Sequence, residues 1–228
     1  PSYLKLPDWF NAEGGTDTQY PTRDYHDAIK KMGNEVESIF QKAAQEVIND
    51  QIDCDIDIVT DGEVRRENYI HYHCRYLEGI DFNKLTKKVA RTGNYECWLP
   101  TVTGKITAKE SFLIHDWKVA QKVSSKPVKI TIPGPMTITD TISNEYYNSP
   151  KEMGKDFAKA INVEIKRLAT AGCKYIQVDE PLFARKPNEA IEYGIKNLEN
   201  CFDGITDSKI EKITHICCGY PDKLDAVD

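Results

Sequence analysis

Reactive side chains occur in three clusters along the sequence, each directly after a short apolar segment with the character of a β-strand. Two clusters contain carboxylates and the third contains an imidazole and thiols: Asp61 and Glu63, Asp179 and Glu180, and His215, Cys217 and Cys218. In parallel α/β folds the carboxyl ends of the strands lie on one face, where binding sites are built. The clusters could therefore form one shared site. Alternatively, the acidic residues could have no role in binding and could simply begin loops and cap the helices that follow.

The segment His215-Ile216-Cys217 is a candidate for metal binding. Alternation along a strand places every second residue on the same side, so the imidazole of His215 and the thiolate of Cys217 could reach one Zn²⁺ together. Cys218 would face the other way and pack. The competing interpretation is a buried histidine beside core cysteines. A zinc site also needs two further ligands, which this segment does not supply.

The two acidic clusters differ in how strongly they indicate function. Glu63 follows Gly62 at a strand exit and precedes two arginines, Arg65 and Arg66. Its carboxylate could hold the ammonium group of a substrate, or it could form an ion pair with those arginines. The sequence Asp179-Glu180-Pro181 is a sharper signal, because the proline stiffens the backbone from which two carboxylates project.

The segments between these clusters alternate between strand-like and helical patterns. A long amphipathic helix is predicted over residues 24–50, and another is predicted to begin after the capping residue Ser149 and to end at Gly172. Short β-branched strands that alternate with helices predict right-handed βαβ units and a parallel sheet. Strands are predicted near residues 56, 102, 130, 176 and 214.

Composition narrows the possible classes of protein. A chain of 228 residues with 40% hydrophobic residues can bury a real core as one domain. The net charge is −6 and there is no long basic run, so nucleic acid and anionic membranes are poor candidate partners. No apolar stretch is long enough to span a bilayer. Seven cysteines, an odd number spread along the chain, favour a reducing compartment, and we expect a cytoplasmic protein.

Four stretches of the sequence together resemble the catalytic barrel of cobalamin-independent methionine synthase, a family within the uroporphyrinogen-decarboxylase-like superfamily. The resemblance covers most of the chain from about residue 20 onward and rests on the order and spacing of these stretches. They are residues 59–66 (VTDGEVRR), 132–137 (IPGPMT), 176–181 (IQVDEP) and 214–217 (THIC).

The resemblance implies a zinc-dependent methyltransferase that moves a methyl group to a thiol, with homocysteine as acceptor and methionine as product. It implies that His215 and Cys217 are two of the zinc ligands. Glu63 and Asp179 would be the catalytic acids and would hold the amino group of homocysteine, and Glu180 would also face the substrate. Ser2 could be a remnant of the Gly-Ser-Phe-Pro-like loop with which the family binds its substrate, or it could follow that loop.

The same resemblance implies a (β/α)₈ barrel, of which we expect about five or six strands in this sequence. Family members supply a third zinc ligand, a glutamate, beyond the His-x-Cys pair, and later a cysteine. The chain stops at Asp228, before either ligand. We therefore expect residues 1–228 to form a single barrel domain that is truncated at its C-terminus and also at its N-terminus.

The sequence indicates the thiol acceptor more clearly than it indicates the methyl donor. Folate-dependent members carry a tryptophan that stacks on the pterin, but the corresponding residues here, 139–142 (TDTI), include no aromatic side chain. The stretch after Pro181, residues 182–186 (LFARK), also departs from the family pattern. Methyl-folate, a methyl-corrinoid protein and another donor all stay open.

Three other functions stay open at this point. One is another alkyl-thiol transferase of the superfamily, which would use coenzyme M or an epoxide-derived substrate. The second is a decarboxylase of the uroporphyrinogen type, which needs no zinc and has a wide, arginine-lined pocket. The third is a non-catalytic binding or accessory subunit.

Overall fold

The structure is a computed structural model that describes residues 27, 29–90 and 95–217. The strands, in chain order, are β1 (Val59–Thr60), β2 (Leu77–Ala90), β3 (Tyr95–Ala108), β4 (Val128–Pro133), β5 (Ser143–Asn144), β6 (Tyr175–Asp179) and β7 (Glu211–His215). The helices are α1 (Glu35–Asp53), α2 (Tyr69–Cys74), α3 (Leu113–Val123), α4 (Pro135–Thr141), α5 (Pro150–Ala171), α6 (Leu182–Arg185), α7 (Pro187–Glu189) and α8 (Ile195–Cys201). A π-helical turn, Ala190–Gly194, joins α7 to α8.

A four-stranded parallel sheet in the order β1-β4-β6-β7 organises the fold. Each strand is followed by helices before the next strand enters the sheet, as the predicted βαβ units require. The register aligns Pro133 of β4 with Asp179 of β6 and Asp179 with His215 of β7. The carboxyl ends of three strands therefore lie at the same level.

Two predicted elements differ in the structure. The segment near residue 102 was predicted to join the parallel sheet, which was wrong: it belongs to β3, which pairs antiparallel with β2 in a long hairpin. Its β-branched residues indicate a strand but not its partner. Among the described residues the parallel sheet has four strands, fewer than the five or six expected. The predicted first helix is interrupted at Gly33, whose φ is +55°, and α1 begins at Glu35.

Helix α5 supplies much of the core. The Ser149 side chain accepts a hydrogen bond from the backbone N–H of Glu152, and the helix ends at Gly172 in the left-handed region, so both predicted ends are confirmed. Its apolar side packs Phe157 and Ile165 against Ile130 of β4 and Ile176 of β6. Strand β3 of the hairpin packs against the same helix. This packing holds the parallel strands in place beneath the site.

A side-chain amide fixes the short first strand. Gln51 of α1 donates to the carbonyl of Thr60 over 2.9 Å and accepts from the N–H of the same residue over 2.9 Å. The loop that begins at Asp61 therefore leaves the sheet from a defined position. Within the described part of the chain, no helix is both long and apolar enough to cross a membrane.

An ionic cluster around the buried side chains of Arg65 and Asp116 joins three helices. Arg65 donates to Glu37 of α1 and lies 3.7 Å from the Asp116 carboxylate of α3. Tyr72 of α2 donates to Asp116 over 2.7 Å. Burial is the main influence on Asp116, and it raises the pKa of this carboxyl from 3.8 to about 6. The cluster ties α1, α2 and α3 together at an electrostatic cost.

The raised pKa of Asp116 predicts a pH dependence of stability. Because the folded-state pKa exceeds the unfolded value, the contribution of this group is fully present below about pH 4 and is lost as the pH rises through about 6. This loss amounts to up to about 3 kcal/mol, and Asp116→Asn should lack it. Denaturant unfolding of both proteins between pH 4 and 7 measures the difference.

The control for this prediction is Asp57→Asn. The Asp57 side chain is 88% exposed and pairs with Lys126 at the surface, so its removal should not change the slope of stability against pH. Equal slopes for Asp116→Asn and Asp57→Asn would contradict the role assigned to the buried carboxyl.

Candidate functional site

A cavity of about 730 Å³ lies against the parallel sheet, and residues from all three sequence clusters line it. Helix α1 forms one wall through Val47 and Gln51. The polar side chains that line the cavity from the strands and the loop after β1 are Thr60, Glu63, Lys129, Thr131, Gln177, Asp179 and His215.

Strand alternation and register explain why these side chains meet. Gln177 and Asp179 are two residues apart on β6, so both face the cavity. Gln177 is in register with Thr131 of β4, and Asp179 is in register with His215 of β7. The expectation that strand ends build one site is therefore realised for Glu63, Asp179 and His215.

A strained turn presents Glu63 to the cavity. Its φ is +57°, a conformation that a residue with a side chain rarely adopts. The carboxylate of Asp61 accepts a hydrogen bond from the Glu63 N–H over 3.0 Å and stabilises the turn. Gly62, with a φ of +68°, packs so closely on Val47 that an added Cβ would lie 2.5 Å from a Val47 methyl group. Asp61 therefore supports the turn and does not line the cavity.

The Glu63 carboxylate is held by two neighbours. Its Oε1 accepts hydrogen bonds from Arg66 over 2.9 Å and from the Thr131 hydroxyl over 2.7 Å. The ion pair considered from the sequence is thus present with Arg66, whereas Arg65 pairs with Glu37. The ion pair and the cavity position coexist, because the side chain keeps 22% of its surface exposed.

The Asp179 carboxylate is held from both sides. Tyr69 of α2 donates to Oδ2 over 2.7 Å, and Gln177 donates to Oδ1 over 2.6 Å. Burial raises the pKa of this carboxyl, while the two hydrogen bonds act in the opposite direction. The result is a nearly buried acid with a fixed orientation.

His215 lies at the end of β7, where its side chain is exposed and lines the cavity. The alternative of a buried histidine is thereby excluded. Cys217 is two residues further on, free and partly buried. Among the described residues, no group of three or more His, Cys, Asp or Glu side chains could hold a metal ion. An imidazole and a thiol nevertheless suit Zn²⁺ as a partial donor set. Cys218 and Ser2 lie outside the described residues.

Glu180 occupies a different place from the one expected. Its side chain is fully buried and accepts hydrogen bonds from the N–H groups of Met136 and Thr137, over 2.9 and 3.0 Å, and from the Thr137 hydroxyl over 2.7 Å. These donors form the first turn of α4, a favourable location for a carboxylate. The expectation that Glu180 faces a substrate is therefore corrected, because strand geometry turns it away from the side that Asp179 faces.

Several residues of the site were missed in the sequence. Gln177 and Thr131 could have been found, since each lies on the cavity side of a predicted strand. Tyr69 gave no local signal, because it reaches Asp179 from 110 positions away in the chain. Lys129 looked like an ordinary charged residue, but it lines the cavity and donates to Gln177 over 2.7 Å.

A second cavity, of about 510 Å³, lies beside α4 and the start of α5. Thr139 and Asp140, from the stretch that departs from the family pattern, line it together with Lys186 and Tyr193. Lys186 forms an ion pair with Asp140. Because α4 follows β4 and Lys186 follows β6, this cavity is lined by segments that begin at the carboxyl ends of these two strands.

The contacts of Glu180 predict a structural role that can be measured. Glu180→Gln leaves at least one of the three donors without an acceptor, and it should lower the free energy of unfolding by about 1–3 kcal/mol. Gly134→Ala should be at least as harmful, because the added Cβ would lie 2.2 Å from the Glu180 carboxyl carbon. Denaturant unfolding at pH 5 provides the measurement, because burial raises the pKa of Glu180 to about 7 and the folded protein then holds this carboxyl in its neutral form, whose two oxygens still accept hydrogen bonds.

Glu152→Gln is the control for these two variants. Glu152 is an exposed acid in the first turn of α5. If Glu180→Gln were no less stable than Glu152→Gln, the carboxylate would not be stabilising α4.

Comparison with known proteins places this geometry in a family. Residues 17–202 match the family described as the cobalamin-independent synthase catalytic domain. The chain is 35% identical over 196 residues to a methionine synthase of Sulfolobus acidocaldarius, a match that spans 85% of this chain and 56% of that protein. A methionine synthase of Saccharolobus solfataricus is 36% identical, with 85% and 57% covered. The chain thus spans little more than half the length of these relatives.

Solved structures agree with the sequence matches. A B12-independent methionine synthase from a Shewanella species, in complex with selenomethionine, superposes with a TM-score of 0.75 at 35% identity, over 82% of this chain and 54% of that one. A putative vitamin-B12 independent methionine synthase from Listeria monocytogenes shares the fold, with a TM-score of 0.66 at 18% identity, over 90% of this chain and 64% of that one. The predicted α/β fold of the TIM-barrel type is confirmed, and the chain belongs to the cobalamin-independent methionine synthase catalytic-domain family.

Proposed function

We propose that the site binds homocysteine and takes part in zinc-dependent transfer of a methyl group to its sulfur. The observation that carries this proposal is the cavity in which two fixed carboxylates, Glu63 and Asp179, lie with His215 at or just after the ends of strands of one parallel sheet. Family membership supports it, and so does the selenomethionine in the Shewanella structure, because that molecule is an amino acid with a chalcogen ether, like the methionine product.

The two carboxylates suit the ammonium group of an amino acid. Each Asp179 oxygen accepts one hydrogen bond from the protein and keeps a lone pair for another donor. Glu63 uses Oε1 for Arg66 and Thr131. An ammonium group supplies three donors and a positive charge, which offsets the repulsion between the two acids.

The zinc site would be held by His215 and Cys217, with the remaining ligands outside the described residues. Zinc, when bound, lowers the pKa of a coordinated thiol and keeps the sulfur nucleophilic. The chain's own residues orient the amino acid, so that the sulfur can approach the methyl carbon in line. The thiol first releases its proton to solvent. The sulfur then forms a bond to the methyl carbon, while the bond from that carbon to the donor breaks and the donor leaves with its electron pair.

The methyl donor would approach from the second cavity. That cavity is lined by segments that follow β4 and β6, and its walls carry Lys151 and Lys186 together with Tyr193. The residues that line this cavity would determine whether methyl-folate or another donor binds.

We also propose a cytoplasmic location, because the five cysteines whose side chains are described are all free.

Removal of either acid predicts a selective loss of amine recognition. Asp179→Asn and Glu63→Gln should weaken homocysteine binding roughly tenfold to a hundredfold, because each removes a charge-assisted contact to the ammonium group. Binding of 4-mercaptobutanoate, which lacks the amino group, should change little. Calorimetric titration with both thiols measures the two affinities.

Asp50→Asn is the matched control for the acids. Asp50 lines the same cavity from α1, but it is exposed and therefore screened by solvent. If Asp179→Asn affected homocysteine no more than Asp50→Asn does, the ammonium group would not bind where we propose.

The zinc ligands predict a change in metal content. Cys217→Ser and His215→Ala should each lower the zinc retained after loading and desalting, as determined by elemental analysis, because each removes a preferred donor. Cys54→Ser is the control, since Cys54 is an exposed free thiol at the same cavity. Full zinc content in Cys217→Ser would show that the ligand assignment is wrong.

A further inference from the structure

We infer that Tyr69, Gln177 and Lys129 are positioning residues that fix the Asp179 carboxylate and thereby set the preference of the site for amino acids over thiols that lack an amino group. This inference rests on the proposed function, since it concerns how the same site recognises the ammonium group. The three side chains come from α2, β6 and β4. Tyr69 donates directly to one oxygen of Asp179, and Lys129 donates to Gln177, which donates to the other oxygen.

Tyr69, which lies on a helix and not in the parallel sheet, holds one oxygen of the Asp179 carboxylate. Its hydroxyl donates to Asp179 Oδ2 over 2.7 Å. Helix α2 is fixed at its first turn by Asn68, whose side chain accepts from the N–H groups of Ile70 and His71. The Tyr69 ring meets the buried His73 edge to face, with ring centroids 6.2 Å apart. The hydroxyl therefore has little freedom to move away.

Gln177 holds the other oxygen of the Asp179 carboxylate. Lys129 determines whether the oxygen or the nitrogen of the Gln177 amide faces Asp179. A lysine ammonium can only donate, so its hydrogen bond of 2.7 Å must end on the amide oxygen of Gln177. The amide nitrogen is then directed to Asp179 Oδ1, 2.6 Å away. If the amide were reversed, its oxygen would face the carboxylate and its nitrogen would face the ammonium, and both contacts would be repulsive.

The two contacts together determine the plane of the carboxylate. Because each oxygen is bonded to a donor on a different element, rotation of the carboxylate would break one hydrogen bond or the other. Its remaining lone pairs are thus fixed before a ligand arrives, and preorganisation of this kind strengthens binding by reducing the entropy lost on association. The advantage applies only to ligands that place a donor on Asp179.

The test compares homocysteine with 4-mercaptobutanoate, its counterpart without the amino group, by calorimetric titration of the 228-residue chain. Tyr69→Phe keeps the ring and removes the donor, so the ratio of the two affinities should fall roughly tenfold. Lys129→Met should lower the ratio about threefold by freeing the amide, and Lys129→Arg, which retains a donor, should restore most of it.

Tyr72→Phe is the matched control. Tyr72 lies on the same helix, is buried, and also donates to a carboxylate over 2.7 Å, but that carboxylate is Asp116, which is not among the residues lining the cavity. Its loss should lower thermal stability and leave the affinity ratio unchanged. A general structural effect would weaken both ligands equally and would not change the ratio.

The ratio of the two affinities in each variant shows whether Tyr69 and Lys129 position Asp179. A lower ratio in Tyr69→Phe and Lys129→Met, with a wild-type ratio in Tyr72→Phe, supports the positioning role. A wild-type ratio in Tyr69→Phe overturns it and leaves the proposed function standing. If the wild-type chain itself showed no preference for homocysteine, both the proposed amine recognition and this inference would be overturned.

Discussion

The parallel pairing of β6 with β4 and β7 is the constraint on which the site depends. It places Asp179 level with His215, so that an acid suited to an ammonium group and an imidazole suited to a metal lie on neighbouring strands. The N–H of Glu180 donates to the carbonyl of His215 over 2.9 Å, so the pairing extends beyond the end of β6. Core packing of α5 against these strands maintains the alignment.

Adjacent acids serve opposite purposes because strand geometry separates them. Asp179 faces the cavity, whereas Glu180 faces the amino end of α4, where it accepts three hydrogen bonds. Glu164 does the same for α3, accepting from the N–H groups of Phe112 and Leu113. Within the described part of the chain, two buried glutamates thus accept hydrogen bonds from the start of a helix.

Features that depend on interactions between residues close in sequence were predicted correctly, whereas features that depend on contacts between distant segments were not. The ends of α5 were predicted well, because Ser149 and Gly172 act on backbone groups within a few residues. The hairpin of β2 and β3 was missed, since β-branched residues near position 102 reveal an extended chain but not the strand with which it pairs. The contact of Tyr69 with Asp179 also has no local signature, because α2 and β6 are distant in sequence.

The sequence by itself determined the family, the alternation of strands with helices and the presence of acids, a histidine and a cysteine at strand ends, because these depend on residue types and short spacings. Only the tertiary structure decided which acids are available to a ligand. Strand alternation and helix packing turned Asp179 into the cavity and buried Glu180. The same packing brought Tyr69, Gln177 and Lys129 to one carboxylate, since hydrogen bonds between distant segments form only when the sheet and its helices have assembled.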